Sequence, residues 1–402
     1  MFTNKYILLT IDVEDWSQVE NFKPWIPFET WDQLELRVER NVHLLLDLFD
    51  SVESAGKLVS LEGGKVGTNA ELDDQNKELN EPNEPNQLNN DSESVYNSQL
   101  TTNKSHAIAP AFNKQLTTDN RLTKNSPKAT FFVLGWLADR LPSLVREIQS
   151  RGHEIASHGY HHNLPDRLPA AELKMDLTDS KKRLEDLIGS PVSGYRAPSF
   201  AINDDILKII EDCGYLYDSS YNSFGLHGRY GRISLKGSAK LSIAHKLSDN
   251  FYELPISNLS IKNPLSFARP VKLFEKNSEA NLTGDLSAFS SERYVKKRMV
   301  SKSFVLPFGG GAYFRLIPLP MFRLGIKSIL QKEGSYLFYL HPWEIDPEQP
   351  RVREASLQQK FRHYSKLSKT FARLKLLIKS FNNCAFTTCA EYLIACAKHR
   401  TS

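Results

Sequence analysis

Two histidines, His158 and His162, stand four residues apart in EIASHGYHH, directly after a short β-prone run. That separation puts two imidazoles on one side of a helical turn. Two such rings coordinate one divalent ion when a third ligand arrives from elsewhere. Donors are at hand in ILLTIDVEDW, where an apolar run ends in three carboxylates within four positions, Asp12, Glu14 and Asp15. Each cluster has a plainer explanation, loop histidines in one case and a solvated acidic turn in the other, and either alone leaves the balance even. Two clusters at the ends of neighbouring strands tip it towards a metal site. His153 and His161 do not share the spacing and are expected to be bystanders.

Three further strand ends carry groups able to work beside an ion. YRAPSF holds Arg196, whose guanidinium is always charged and pairs with a carboxylate, here one of the acids after the first strand; alone, it reads equally well as a surface arginine beside a rigid turn. YDSS holds Asp218. LHPWEID holds His341, which would be a structural histidine unless hydrogen-bonded to Asp218, a bond that orients the ring and raises its basicity. Nothing in the spacing of Glu344 and Asp346 argues for a ligand role. The GGG at 309–311 permits close backbone approach, to a sugar or simply within a tight turn.

The elements that must position these groups follow from periodicity. Residues 6–11 read as a buried strand. Leu34, Val38, Val42, Leu45 and Phe49 recur at helical spacing and predict a helix ending near Ser51. A strand over Ala129–Leu134, a helix with Pro142 in its first turn, the strand GHEIAS, and a helix on Leu173, Leu177, Leu184 and Leu187 closed by Gly189 come next. PVSGYRAPSF is strand and turn; Asn203 caps a helix closed by Gly214. YLYDSS, FYELPIS and SYLFYLHPWEID are strands, and the tail carries two helices, with Thr388 and Glu391 in capping-box register. This alternation implies an α/β fold of parallel βα units with helices outside, whose strand C-termini share the face where sites lie.

The 402 residues, 40% hydrophobic and 24% charged, suffice for one large globular core or two smaller ones. A net charge of +4 gives no argument for nucleic acid. Cys213, Cys384, Cys389 and Cys396 contain no CxxC pair and suit free thiols in a reducing compartment. No secretory leader and no apolar run of the ~18–20 residues that span a bilayer is visible, so a cytoplasmic location is expected. Residues 56–126 are too polar to offset their ordering entropy and are expected to form a disordered insertion. Residues 263–303 read as a variable insert whose basic tract, Lys296–Arg298, could meet an anionic polymer or a membrane surface, a solvated loop being the plainer reading. That leaves 1–55 and 127–350 as the main domain and 351–402 as a C-terminal helical extension.

In order, TIDVED, SHGYHH, YRAPSF, YDSS and LHPWEID resemble the successive motifs of the NodB-homology polysaccharide deacetylases, carbohydrate esterases with a distorted (β/α) barrel. KATFFVLGWLADR, FGGGAYFRLIP and FYLHPWEIDPEQPRVREASLQQKFRHY are similar to the subgroup found beside exosortase-associated exopolysaccharide loci. The resemblance covers about residues 5–260 and 304–382. It implies a metal-dependent N-deacetylase of hexosamine residues in a polysaccharide, with Asp12 as catalytic base and His158 and His162 as ligands of a divalent metal, Zn²⁺, or alternatively Co²⁺ or Ni²⁺. Arg196 would orient Asp12, and His341 would be the general acid with Asp218 as its partner. Where the wider family has two adjacent aspartates this chain interposes Val13 and Glu14, so the third ligand is Asp15 or Glu14, Asp15 being favoured by residue type. YDSSYNSFG lacks the family's downstream tryptophan, a wall that Trp343 or Phe308 would supply. An N-acetylated polysaccharide or oligosaccharide is the expected partner, with peripheral association to a membrane polysaccharide synthesis machinery. The alternatives are a metal-free glycoside hydrolase using Asp12 and a second acid, and a non-catalytic glycan-binding subunit of a synthesis complex. A serine hydrolase is disfavoured, since no GxSxG elbow occurs.

Overall fold

The structure, a computed structural model, describes residues 5–52, 126–225, 230–262 and 303–398. The insertions expected at 56–126 and 263–303, with the basic tract 296–298, lie outside the described residues except for Ser126 and Ser303. In chain order the elements are β1 (Tyr6–Val13), α1 (Val38–Asp50), β2 (Ala129–Val133), α2 (Gly135–Arg140), α3 (Pro142–Ser150), β3 (Glu154–Ser157), α4 (Ala170–Ile188), β4 (Gly194–Tyr195), α5 (Asp204–Asp212) and β5 (Tyr217–Asp218). They continue with β6 (Ala239–Leu241), β7 (Ala244–Lys246), β8 (Tyr252–Glu253), β9 (Leu259–Lys262), β10 (Ser303–Leu306), α6 (Gly311–Leu316), α7 (Leu319–Glu333), β11 (Ser335–Leu340), α8 (Leu357–Tyr364), α9 (Leu367–Ser380), β12 (Ala385–Phe386) and α10 (Cys389–Lys398).

The main sheet runs β11-β1-β2-β3-β4-β5-β8-β7-β6. It is parallel from β11 to β8 and ends in the antiparallel hairpin β6–β7. After β8 the chain reaches back to the opposite edge, where Ser257 N donates to the Leu337 carbonyl at 3.3 Å and Leu337 N donates to Ser257 Oγ at 2.8 Å. The sheet therefore curls on itself as a distorted barrel. Strand side chains alternate between two apolar clusters. Leu8, Phe132, Ala156, Tyr217, Leu254, Leu337 and Tyr339 share the inner one. Ile7, Leu9, Ile11, Phe131, Val133, Ile155, Tyr195 and Phe338 belong to the layer under the helices.

Local signals account for most boundaries. Asn203 Oδ1 accepts from the amides of Asp205 and Ile206 and starts α5, Pro142 opens α3, and Gly189 closes α4 at φ 64°. Thr388 and Glu391 form the expected capping box at α10. The tail nevertheless holds three helices, not two, because the chain turns at Ser365–Lys366, with Lys366 in left-handed backbone, and separates α8 from α9. The strand β12 was not anticipated: its two residues pair with Tyr6 and Ile7 on the side of β1 that β2 takes over from Leu9. It delivers α10 to the barrel floor, where Cys389, Tyr392, Leu393 and Cys396 join the inner cluster. Exposed Met321 and Leu324 blur the apolar stripe of α7, which explains why no helix was expected there. Cys213, Cys389 and Cys396 are free thiols. Among the described residues no helix is long and apolar enough to cross a membrane.

Candidate metal centre and active-site cleft

At the C-terminal end of β1 the strand alternation carries Thr10 and Asp12 to the barrel interior, and Glu14, just past the strand, turns in beside them with its amide donating to the Asp12 carbonyl at 2.9 Å. Glu14 Oε1 lies 2.9 Å from His158 Nε2 and 3.0 Å from His162 Nε2, and all three residues are buried. His158 continues the inward register of β3. His162 is brought round by a loop with Gly159 at φ 78° and His162 itself at φ 56°, so the pair sits on a loop and not on the expected helical turn. His158 Nδ1 is 2.7 Å from the Arg196 carbonyl oxygen. A carbonyl only accepts, so Nδ1 carries a proton and Nε2 is the ring atom turned to the Glu14 oxygen. Two ring nitrogens and one carboxylate oxygen thus meet within 4.8 Å of one another, an arrangement able to hold a cation. The donor set, two imidazoles and one carboxylate, fits a divalent ion such as Zn²⁺. Burial by itself would raise the Glu14 carboxyl, but the imidazoles of His162, His341 and His158 hold it well below the usual range.

Asp15, the favoured third ligand by residue type, is not part of this cluster. Its carboxylate accepts from the amides of Trp16 at 2.7 Å, Arg37 at 2.6 Å and Val38 at 2.8 Å. It thus caps a short 3₁₀ turn after β1 and the start of α1 together. Burial pushes its pKa up to about 6 in spite of those three donors. Asp218 is likewise not the partner of His341. It stands across the strands from Glu253 and accepts from Ser220 N and Oγ at 2.9 and 2.7 Å. Burial raises both carboxyls.

The carboxylate that does meet His341 is Glu344, whose Oε1 lies 2.9 Å from Nδ1. The ring stacks on Trp343 at 5.1 Å and turns Nε2 towards Asp12 Oδ2 at 3.8 Å and Glu14 Oε1 at 3.9 Å. Burial would lower the His341 pKa, but the charges of Glu14, Glu344 and Asp12 outweigh it and push it up to about 9. Arg196 reaches the other oxygen of Asp12. Its Nη1 donates to Asp12 Oδ1 at 2.6 Å and to Thr10 Oγ1 at 2.7 Å, while Nε and Nη2 hold Ser219. Asp12, Glu14, His162, His341 and Trp343 border a cleft of about 110 Å³. Trp343 thus supplies a wall, whereas Phe308 is buried against Phe322. Asp346 pairs with Arg37 and Arg40. His153 is a core histidine, accepting from Ala129 N at 3.2 Å and driven down to about 3 by burial, and His161 packs against Phe28 and Tyr160.

Residues 116–217 match the family profile described as polysaccharide deacetylase, and residues 296–393 match a domain of unknown function, DUF3473. The peptidoglycan-N-acetylglucosamine deacetylase of Bacillus cereus is 33% identical over 94 residues, 23% of this chain and 44% of that protein. The chitooligosaccharide deacetylase of Azorhizobium caulinodans is 36% identical over 95 residues, 23% of this chain and 45% of that protein. The chain therefore spans somewhat less than half the length of these relatives. Among solved structures, the peptidoglycan deacetylase PdaC of Bacillus subtilis is 28% identical over 21% of this chain and 42% of that one, with a TM-score of 0.21.

Proposed function

We propose that this chain, which belongs to the polysaccharide deacetylase family through the domain matched at residues 116–217, is a metal-dependent hydrolase that removes N-acetyl groups from hexosamine residues of an exopolysaccharide. The observation that carries this reading is the convergence of the Glu14, His158 and His162 side chains beside a carboxylate and an imidazole in one cleft. The names of the relatives, deacetylases of peptidoglycan N-acetylglucosamine and of chitooligosaccharides, support the same substrate class.

A divalent ion held by Glu14, His158 and His162 would supply Lewis-acid polarisation of the acetyl carbonyl and of a water. The rest falls to the chain's own groups. Asp12, aimed by Arg196, takes the proton of the attacking water as general base. His341, whose Nε2 faces Asp12 across the cleft, donates a proton to the leaving amide nitrogen, so that acetate and a free amine depart. Trp343 forms an apolar wall beside the reacting group.

The test is acetate release from N-acetylated oligosaccharides by the full chain, with and without chelator, alongside His158→Ala. The expected result is release that chelator abolishes, that added Zn²⁺ restores, and that His158→Ala lacks. Release unaffected by chelator would overturn the metal mechanism, and release of reducing ends without acetate would point to glycoside hydrolysis instead.

A further inference from the structure

The segment matched to a domain of unknown function contributes one group to the cleft that the reaction above leaves unexplained. Arg315, in α6, is buried, and so is Glu344. Arg315 Nε donates to Glu344 Oε2 at 2.8 Å, while Glu344 Oε1 faces His341 Nδ1 at 2.9 Å. The other guanidinium donors go to backbone at the C-terminal end of α8: Nη1 to the carbonyls of His363 and Ser365 at 2.8 and 2.7 Å, and Nη2 to that of Arg362 at 3.0 Å. Room for the Glu344 carboxylate is made at Gly311, where a Cβ would overlap both of its oxygens. The third glycine of the GGG run therefore serves an internal contact.

We infer that Arg315 and Glu344 are positioning residues for His341: Arg315 fixes the Glu344 carboxylate, which holds the proton on His341 Nδ1 and leaves Nε2 as the atom that serves the leaving group. The inference rests on the deacetylase reading for its kinetic consequence only. Arg315 carries a charge that Glu344 needs, and α8 carries backbone acceptors that Arg315 needs. The acid side of the cleft is thus assembled by residues 311–365, and the base and the proposed metal ligands by β1 and the loop after β3.

Glu344→Gln is the discriminating variant, because it keeps the shape and removes one acceptor. An amide has one accepting end, so it sets its NH₂ against either Arg315 Nε or His341 Nδ1. The expected kinetic result is a fall in kcat of about 10²–10⁴-fold, the range of a lost general acid, with KM changed less than threefold and bound Zn²⁺ unchanged. Arg315→Lys, which keeps the charge but not the fork, should show the same pattern more weakly. The second readout needs no activity: in ¹⁵N-histidine-labelled protein, the wild-type His341 signal should report an Nδ1–H tautomer or an imidazolium, and Glu344→Gln should shift it. An unchanged His341 signal in Glu344→Gln, or a loss confined to KM, overturns the positioning role. A wild-type protein that releases no acetate from any N-acetylated glycan removes the proposed function while leaving the ¹⁵N result to decide this inference by itself.

Discussion

Arg196→Met tests the electrostatics of the barrel interior and the side of the cleft assigned to the base. Arg196 is fully buried and makes four donations, to Asp12, to Thr10 and to the carbonyl and hydroxyl of Ser219. Its backbone carbonyl, which holds His158 Nδ1, survives the substitution. Methionine fills much of the volume and lies against the Phe132 face on which the guanidinium now rests at 4.1 Å. The loss is therefore mainly one of charge. Removing one partner of a buried ion pair costs about 3–5 kcal/mol, because the other charge is left uncompensated. Set against a total stability of about 5–15 kcal/mol, that is a large fraction. The double variant Asp12→Asn with Arg196→Met removes both charges, and should recover at least ~2 kcal/mol of the single variant's loss, since the residual cost is that of unpaired neutral acceptors. Urea unfolding of wild type, both singles and the double closes the cycle. If the double variant is as unstable as Arg196→Met, with a coupling under ~0.5 kcal/mol, Asp12 is not the group that Arg196 pairs with, and the positioning of the base by Arg196 falls with it.

Three other perturbations separate neighbouring roles. Glu14→Gln should weaken Zn²⁺ binding by at least tenfold in calorimetry, whereas Asp15→Asn should leave Zn²⁺ affinity within about twofold and cost ~1–2 kcal/mol of stability as a lost cap; the reverse pattern would restore Asp15 as the ligand. Glu154, at the barrel floor, accepts from Thr130, Tyr217 and the Ala390 amide at the start of α10. Burial raises its pKa from 4.5 to about 7. A raised carboxyl contributes stability that is complete below its unfolded value and is lost as pH rises through about 7. The Tm of wild type should therefore fall between pH 5 and pH 8 relative to Glu154→Gln, and parallel curves would contradict the assignment. Gly311→Ala should cost ~1–3 kcal/mol by overpacking against Glu344, and should lower acetate release in parallel with Glu344→Gln; an unaffected activity would separate the glycine from the site.

The parallel βα order, the strands that end in Asp12, His158, Arg196 and His341, and several helix caps were legible because each is a local pattern of period, proline, glycine or capping residue. Less legible were pieces whose reason is tertiary. The strand β12 is two residues long and exists because the floor of β1 has a free edge where β2 has not yet begun. Arg315 sits in an apolar stretch with no carboxylate at helical spacing, and its partner is 29 residues away. Glu344 looked incidental because its work is done through an imidazole three positions back.

The two misplaced carboxylates lie at or just past strand ends, where side-chain alternation is the first guide to direction. In a strand, residues of like parity share a face. Thr10 and Asp12 follow Leu8 into the interior, as Ala156 precedes His158, Gly194 precedes Arg196, and Leu337 and Tyr339 precede His341. Asp15 lies past the strand and meets the start of α1. Asp218 lies between Tyr217 and Ser219, of which Tyr217 joins the inner cluster and Ser219 binds the interior guanidinium, so its own side chain points away from the cleft, across the strands from Glu253. Residue type favoured an aspartate for the third ligand, but β1 ends at Val13, where the Glu14 amide turns back to the Asp12 carbonyl at 2.9 Å. That turn sends Glu14 to His158 and His162 and leaves Asp15 to cap the 3₁₀ turn that follows.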